Sequence, residues 1–281
     1  MPYSAEISRA NPTCFLFLID QSKSMLGPMS GQSDKRKADA VADSINRLLY
    51  TLVLRCVWGQ NVLDRFHVGV LGYGRQITPG LGGAFAGREL VPISEVARAP
   101  LRVEQRVNVI DDGQGGKVQQ TVKFPVWFEP VADGKTPMCA TLERADTILA
   151  GFLSEHPTCF PPLVINLTDG EANDGNPETP AARLRQLNSE DGAVLLFNLH
   201  LSSKGETPIE FPDREDMLPD DFARRLFRMS SPLPPPMHAQ ALQAGFGVSG
   251  STRGFVFNAD LASVVRFLDI GTRVDFKNLS R

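Results

Sequence analysis

The sequence TCFLFLIDQSKS, residues 13–24, joins an unbroken apolar run to a short polar loop. The apolar part, Thr13 to Ile19, has the length of a strand and lacks the alternation of a half-buried one. This pattern is typical of a strand that is covered on both faces, as in parallel sheets with helices on either side. The stretch therefore predicts the first central strand of an α/β sheet.

Helix-like and strand-like segments alternate along the rest of the chain. An apolar stripe at three- and four-residue spacing predicts a helix from Ala38 to Cys56, with Asp34 as the residue that caps its start. The alternation predicts a doubly wound, mostly parallel sheet flanked by helices, whose ligands bind beyond the carboxyl ends of the strands. Further strands are predicted at 67–73, 163–168, 193–201 and 254–258, and further helices at 138–155, from Thr179-Pro180 towards Leu187, and at 261–268.

Two stretches depart from this alternation. Residues 84–131 contain the alternating segments VEQRVNVI and KVQQTVKFPVWF, separated by DDGQGG, which predicts a β-hairpin insertion. One of its strands is a candidate for the antiparallel edge of the main sheet. Residues 202–252 are polar and proline-rich, and we expect an irregular insertion with short helices, one of them around 220–229. We interpret residues 1–281 as a single domain that carries these two insertions.

The composition limits the classes of partner and compartment. With 29 basic and 32 acidic side chains the net charge is −3, which provides no broad basic field for nucleic acid or anionic membranes. The first twenty residues lack a basic segment before a short apolar run, so we expect a cytoplasmic protein. The cysteines form no CxxC pair, and we expect reduced, mostly buried thiols at positions 14, 56, 139 and 159.

Polar residues follow the predicted strands where their carboxyl ends should meet. Asp20, Ser22 and Ser24 lie in one loop after the first strand, Asp169 follows the strand at 163–168, and Thr136 precedes a helix. Carboxylate and hydroxyl oxygens suit Mg²⁺, and the absence of clustered His or Cys argues against zinc. The sequence therefore predicts a divalent-cation site at this edge of the sheet. Mg²⁺ is the leading ion, with Mn²⁺ or Ca²⁺ as alternatives.

These five residues resemble the metal-ion-dependent adhesion site of von Willebrand factor A domains. Asp20, Ser22 and Ser24 match its Asp-x-Ser-x-Ser motif, Thr136 its Gly-Lys-Thr loop and Asp169 its Thr-Asp-Gly. The resemblance covers residues 11–83 and 131–201 with the final strand and helix. It implies that Ser22, Ser24 and Thr136 bind the ion directly, and that Asp20 and Asp169 act mainly through water. A cation held largely by neutral hydroxyls keeps its positive charge, which implies a Glu or Asp of a protein partner as a further ligand.

The resemblance implies an interaction module and not an enzyme. Relatives of the intracellular bacterial type are associated with AAA-type ATPases, or with protein kinases and phosphatases, in stress or defence systems. A Mg²⁺-dependent phosphoester hydrolase stays open as an alternative, with Glu171 as a nearby base. A metal-independent scaffold that uses the hairpin insertion is the other alternative. No GxSxG, phosphate-loop or HExxH motif is present in the sequence.

Other polar residues near these motifs have simpler interpretations. His200 ends a predicted strand and is expected to be structural, although it could approach the rim of the site. We expect Lys23 and Lys135 to face solvent, and Lys35-Arg36-Lys37 to form a solvated first helical turn. The loop residues Asn173, Asp174 and Asn176 are candidates for lining the rim.

Overall fold

The structure is a computed structural model that describes residues 2–30, 32–111, 117–202 and 207–272. Its strands are, in chain order, β1 (Thr13–Asp20), β2 (Pro28–Met29), β3 (Gln32–Arg36), β4 (Val57–Trp58), β5 (Asn61–Val62), β6 (Phe66–Tyr73), β7 (Ile77–Pro79), β8 (Val91–Pro92), β9 (Arg102–Asp111), β10 (Lys117–Val126), β11 (Leu163–Thr168), β12 (Asn188–Ser189), β13 (Gly192–Ala193), β14 (Leu195–Leu201), β15 (Ile209–Glu210) and β16 (Phe255–Ala259). The α-helices are α1 (Lys37–Arg55), α2 (Ile93–Arg98), α3 (Met138–Glu155), α4 (Glu178–Leu184), α5 (Asp221–Met229), α6 (Pro235–Gln243) and α7 (Leu261–Thr272).

The main sheet has the strand order β15-β16-β14-β11-β1-β6-β7, and β8 also pairs with β6. The strands from β16 to β6 all pair in parallel. Within the described part of the main sheet, antiparallel pairing occurs only at the two margins, where β15 joins β16 and where β7 and β8 join β6. The predicted doubly wound, mostly parallel sheet is therefore confirmed.

The core has two layers, one on each face of the sheet. Phe15, Phe17 and Ile19 of β1 pack with apolar residues of α1, α2, α6 and α7. The alternate residues Leu16 and Leu18 pack with α3, α4 and α5 on the other face. Each large apolar side chain that becomes fully buried contributes roughly 1.5–3 kcal/mol relative to exposure. Burial on both faces explains why β1 is apolar without interruption.

Two predicted capping residues were wrong, although both helices exist. Asp34 lies in β3, and α1 begins at Lys37 with no side-chain cap. The backbone N–H of Lys37 instead donates to the carbonyl of Gly27 at 2.9 Å. Helix α4 begins at Glu178 after Pro177, and it ends before Leu187. At the start of α4, the side chain of Asn176 accepts from the backbone N–H of Glu178 at 3.1 Å.

The predicted hairpin forms, but neither of its strands is an edge of the main sheet. Strands β9 and β10 pair antiparallel with one another as a separate two-stranded sheet. Arg106 connects this hairpin to α1, since it forms an ion pair with Asp43 at 2.8 Å and lies over the ring of Phe124. Most of the predicted turn, residues 112–116, lies outside the described residues.

Residues 207–252 contain more regular secondary structure than the sequence indicates. Strand β15 extends the main sheet, and α5 forms where a short helix was predicted, with the Asp220 carboxylate accepting from the backbone N–H of Ala223 at 2.8 Å. Residues 203–206 lie outside the description. All four cysteines are free, and Cys139 alone of them is only partly buried. Within the described ranges, no helix combines the length and apolarity needed to cross a membrane.

Candidate metal site

The loop after β1 is held in place by the loops that follow β6 and precede α3. The first two loops meet because β1 and β6 pair in parallel and end at the same edge of the sheet, and the loop before α3 is hydrogen-bonded to both. Backbone hydrogen bonds join them: Gln21 N to Tyr73 O at 2.7 Å, Lys23 N to Gly134 O at 3.2 Å, and Arg75 N to Asp133 O at 2.9 Å. The backbone that carries the Ser22 and Ser24 hydroxyls is therefore held in place by hydrogen bonds.

Two glycines allow these loops to approach so closely. Gly134 has a φ of +100°, and a Cβ there would overlap the backbone of Arg75. A Cβ at Gly74 would likewise overlap the carbonyl oxygen of Asp133. Only glycine combines this conformation with this proximity without strain.

Four of the five predicted ligands form one continuous hydrogen-bonded group. Asp20 Oδ1 accepts from the backbone N–H of Ser22 at 2.8 Å. The hydroxyls of Ser22 and Ser24 are 2.8 Å apart, and the Ser24 hydroxyl donates to Asp169 Oδ1 at 2.6 Å. Asp20 and Ser22 are buried, whereas Ser24 is exposed. The group is therefore anchored inside the protein and open to solvent at Ser24.

Asp20 is fully buried, and this burial raises the pKa of its carboxyl to about 6. Hydrogen bonds from Ser22 and Thr168 lower that pKa, and the negative charge of Asp169 raises it further. The Thr168 bond joins its Oγ1 to Asp20 Oδ2 at 2.7 Å. Thr168 was not among the predicted site residues, although its position at the end of β11, next to Asp169, could have indicated it.

Thr136, the fifth predicted ligand, is buried beside the turn that follows Asp169. Its Oγ1 would be 3.9 Å from a Cβ built at Gly170. The backbone N–H of Asn173 donates to the Thr136 carbonyl at 3.1 Å. With the Asn173 amide turned so that its oxygen faces the Thr136 N–H, its side chain accepts from that N–H at 2.8 Å and donates to the Thr136 carbonyl at 3.2 Å. The structure thus places the Thr136 hydroxyl beside Gly170, the residue that follows Asp169.

The three residues predicted as candidates for lining the rim are exposed, and each bonds to backbone groups of the loops or helix starts beside it. Besides the Asn173 clamp, the Asp174 carboxylate accepts from the backbone N–H groups of Cys139 at 3.1 Å and Ala140 at 2.9 Å. These are orphan donors of the first turn of α3, where a negative charge is also favoured by the helix dipole. Asn176 accepts from the backbone N–H of Glu178.

Lys37 was predicted to be solvated, and that prediction was wrong. Its side chain is only 7% exposed, and its Nζ lies 2.6 Å from Oδ2 of Asp169, whose side chain is fully buried. A buried ammonium requires a counter-ion, and Asp169 supplies one. The sequence contains one indication that Lys37 is buried: it precedes Val41 by four residues and so falls on the apolar stripe of α1.

A series of hydrogen-bonded, buried polar side chains runs below the site, and no sequence pattern predicted it. The Tyr73 hydroxyl donates to Asn166 Oδ1 at 2.7 Å, and Asn166 donates to Asn198 Oδ1 at 3.0 Å. Asn198 donates in turn to the hydroxyl of Ser230 at 3.0 Å. Burial holds the pKa of Tyr73 well above its usual value, so its hydroxyl stays a donor. This series connects β6, β11 and β14 beneath the candidate ligands.

The remaining predicted positions have ordinary surroundings. His200 stacks on Phe257 and accepts from the backbone N–H of Asn258 at 3.2 Å, as expected of a structural histidine. Lys23 and Lys135 are exposed, as predicted. Glu171 is exposed and lies 3.8 Å from Arg225.

The donor group fits a small divalent cation. Two oxygens in neighbouring octahedral positions around Mg²⁺ are about 2.9 Å apart, since each lies at roughly 2.0–2.1 Å from the ion. The Ser22 and Ser24 hydroxyls, 2.8 Å apart, match this spacing. In the part of the chain that the structure describes, no group of three or more His, Cys, Asp or Glu side chains could hold a metal ion. A metal site among the described residues would therefore need further ligands of another kind, such as hydroxyl, amide or backbone carbonyl oxygens.

Comparisons with known proteins reach only distant similarity. No protein-family model matches the chain, and no curated protein matches it either. Manganese-loaded TRAP protein from Plasmodium vivax is 16% identical with a TM-score of 0.43, over 95% of this chain and 76% of that one. Proximal thread matrix protein 1 of the mussel byssus is 14% identical with a TM-score of 0.46, over 95% and 48%. A von Willebrand factor type A protein from Catenulispora acidiphila is 16% identical with a TM-score of 0.38, over 68% and 33%. All three TM-scores lie below 0.5, so these similarities establish neither family nor function.

Proposed function

We propose that the chain is a von Willebrand factor A-type module that binds a protein partner through a divalent cation, preferably Mg²⁺. Ser22, Ser24 and Thr136 would hold the cation directly, and Asp20 and Asp169 would hold it through water. The observation that carries the proposal is the hydrogen-bonded row from Ser22 through Ser24 to Asp169, with spacing suited to an octahedral ion.

The same geometry supports an acidic residue as the contact of the partner. The three proposed direct ligands are neutral hydroxyls, so the bound cation would attract a carboxylate from outside. Ser24 is exposed, which leaves this side of the group accessible to a partner. We therefore propose a Glu or Asp side chain of another protein as the completing ligand. Nucleic acid and membranes are not proposed as partners.

The cellular setting is proposed from the sequence resemblance alone. It favours a cytoplasmic bacterial protein that acts with an ATPase, or with a kinase and phosphatase pair, in a stress or defence system. We propose no catalysis, because Glu171, the candidate base, faces Arg225 at the surface. Turnover of p-nitrophenyl phosphate in Mg²⁺ that is lost in the Ser24→Ala variant would favour the hydrolase instead.

A crosslinking pulldown tests the proposal together with a metal titration. Wild type should bind Mg²⁺ or Mn²⁺ in calorimetry and recover the same partner in Mg²⁺ but not in chelator. Ser24→Ala should lose both properties. Ser154→Ala is the matched control, since Ser154 is an exposed serine near the opposite end of α3. Partner recovery that is equal in chelator and in Mg²⁺ would favour the metal-independent scaffold.

A further inference from the structure

Lys37 places a positive charge inside the proposed metal site. Its two basic neighbours in the sequence behave as surface residues: Lys35 pairs with Asp43, and Arg36 pairs with Asp39. Lys37 alone of the three turns inward, and its ammonium reaches Asp169 at 2.6 Å.

Helix electrostatics do not explain this position. Lys37 is the first residue of α1, where the helix dipole disfavours a cation. Burial of an ammonium also costs free energy that only a close counter-ion offsets. The placement of Lys37 is therefore determined by Asp169 and not by the helix that carries it.

The ion pair determines what Asp169 can do. Its Oδ1 accepts from the Ser24 hydroxyl, and its Oδ2 faces the ammonium of Lys37. Oδ1 is thus hydrogen-bonded, whereas Oδ2 accepts no hydrogen bond and has the Lys37 ammonium as its counter-ion; the side chain is fully buried. A carboxylate held in this way would not coordinate the divalent cation directly and would orient the Ser24 hydroxyl instead.

The charge of the site changes accordingly. Asp20 and Asp169 give the five proposed ligands a formal charge of −2, and Lys37 reduces the sum to −1. With a divalent ion bound, the five ligands and Lys37 would carry a formal charge of +1, whereas the ligands and the ion without Lys37 would sum to 0. The free chain then attracts the cation less, and the loaded site attracts an external carboxylate more.

We propose that Lys37 makes metal binding depend on the partner: the free chain binds the divalent ion weakly, and an external carboxylate supplies the missing negative charge. This inference rests on the proposed function. It assigns Lys37 as a positioning residue that sets the affinity of the site and couples the ion to an acidic ligand.

Mn²⁺ titrations followed by electron paramagnetic resonance test the proposal. Lys37→Met should bind Mn²⁺ roughly 10- to 100-fold more tightly than wild type, the usual size of effects from groups behind metal ligands. Lys37→Arg keeps the charge and should stay close to wild type. Lys23→Met and Lys135→Met, which remove exposed lysines from the same loops, are matched controls. Lys37→Gln, which is neutral but polar, replaces Lys37→Met if the latter does not fold, with the same expected gain.

Acetate provides a second readout. At equal ionic strength, replacing chloride by acetate should tighten Mn²⁺ binding by wild type several-fold more than by Lys37→Met. Equal or weaker Mn²⁺ binding by Lys37→Met and Lys37→Gln, with binding still abolished in Ser24→Ala, would overturn the role of Lys37 and leave the proposed function intact. If neither wild type nor Lys37→Met bound Mn²⁺ with acetate present, the proposed function itself would fall and this inference with it.

Discussion

Thr168 donates its hydroxyl hydrogen to Oδ2 of Asp20 at 2.7 Å, from the end of one central strand to the end of its neighbour. The other oxygen of the same carboxylate is held by the backbone N–H of Ser22. Asp20 is thus fixed on both sides by elements that the parallel sheet brings together. A buried carboxylate without such donors would be costly.

Thr168→Val should destabilise the protein and weaken metal binding. Valine keeps the shape of threonine but removes the donor to Asp20, and a hydrogen bond to a charged group contributes about 1.5–3 kcal/mol. Urea unfolding in chelator should show a loss of that size, and Mn²⁺ calorimetry should show weaker binding. Thr147→Val, at an exposed threonine of α3, is the control and should change stability by less than about 0.5 kcal/mol. Equal stabilities of the two variants would contradict the role assigned to Thr168.

The pKa of Asp20 predicts an unusual dependence of stability on pH in the metal-free protein. Below the ordinary value of 3.8, the carboxyl is protonated in both folded and unfolded chains and has no effect. Between this value and about 6, the unfolded chain ionises first, so stability falls as pH rises. Above the folded pKa the full penalty of about 3 kcal/mol is present.

The Asp20→Asn variant isolates this contribution. In chelator, the unfolding free energy of Asp20→Asn minus that of wild type should increase from pH 4 to pH 7, by up to about 3 kcal/mol. Asp216→Asn, at an exposed carboxylate, provides the baseline. Excess Mg²⁺ should stabilise wild type above pH 6 and leave Asp20→Asn unchanged, since the ion favours the ionised carboxylate. A difference between Asp20→Asn and wild type that stays constant with pH would contradict the raised pKa.

Tyr73→Phe tests the series of buried polar side chains below the site. It leaves Asn166 Oδ1 without the Tyr73 donor in a place where water cannot replace it. The expected loss is about 1–3 kcal/mol in chemical unfolding. Tyr50→Phe, at an exposed tyrosine, should have little effect. A loss of unfolding free energy in Tyr73→Phe no larger than that in Tyr50→Phe would show that these buried polar hydrogen bonds do not stabilise the sheet.

The sequence predicted the features that depend on local pattern and on sheet topology. The apolar run of β1 and the stripe of α1 gave the strand and the helix, because both are buried by neighbours that any α/β sheet supplies. The closeness of Asp20 to Asp169 followed from parallel strands ending at one edge. Whether these residues bind a metal stays a prediction.

The features that the sequence missed depend on tertiary contacts. Lys37 stands among basic residues and resembles a surface turn, and only the fold shows that Asp169 lies within its reach. The hairpin of β9 and β10 has an alternating pattern that does not reveal whether its neighbour is a strand or α1. The Asn173 clamp on Thr136 joins residues from separate loops, so no local pattern indicates it.

Gly134→Ala should disrupt the site, whereas Gly170→Ala should not. Gly134 has a positive φ and no space for a Cβ beside the backbone of Arg75, and such strain costs about 1–3 kcal/mol before any clash is counted. Gly170 is not among the glycines with positive φ, and a Cβ there would make only an ordinary contact with Thr136 Oγ1.

Thermal unfolding in chelator should therefore show a loss of about 2 kcal/mol or more for Gly134→Ala. The change for Gly170→Ala should be within about 1 kcal/mol, because alanine also reduces the entropy of the unfolded chain. Mn²⁺ affinity should follow the same order, since Gly134 accepts the backbone hydrogen bond that holds the loop between Ser22 and Ser24. Equal tolerance of both substitutions would mean that the close approach of these loops does not maintain the site.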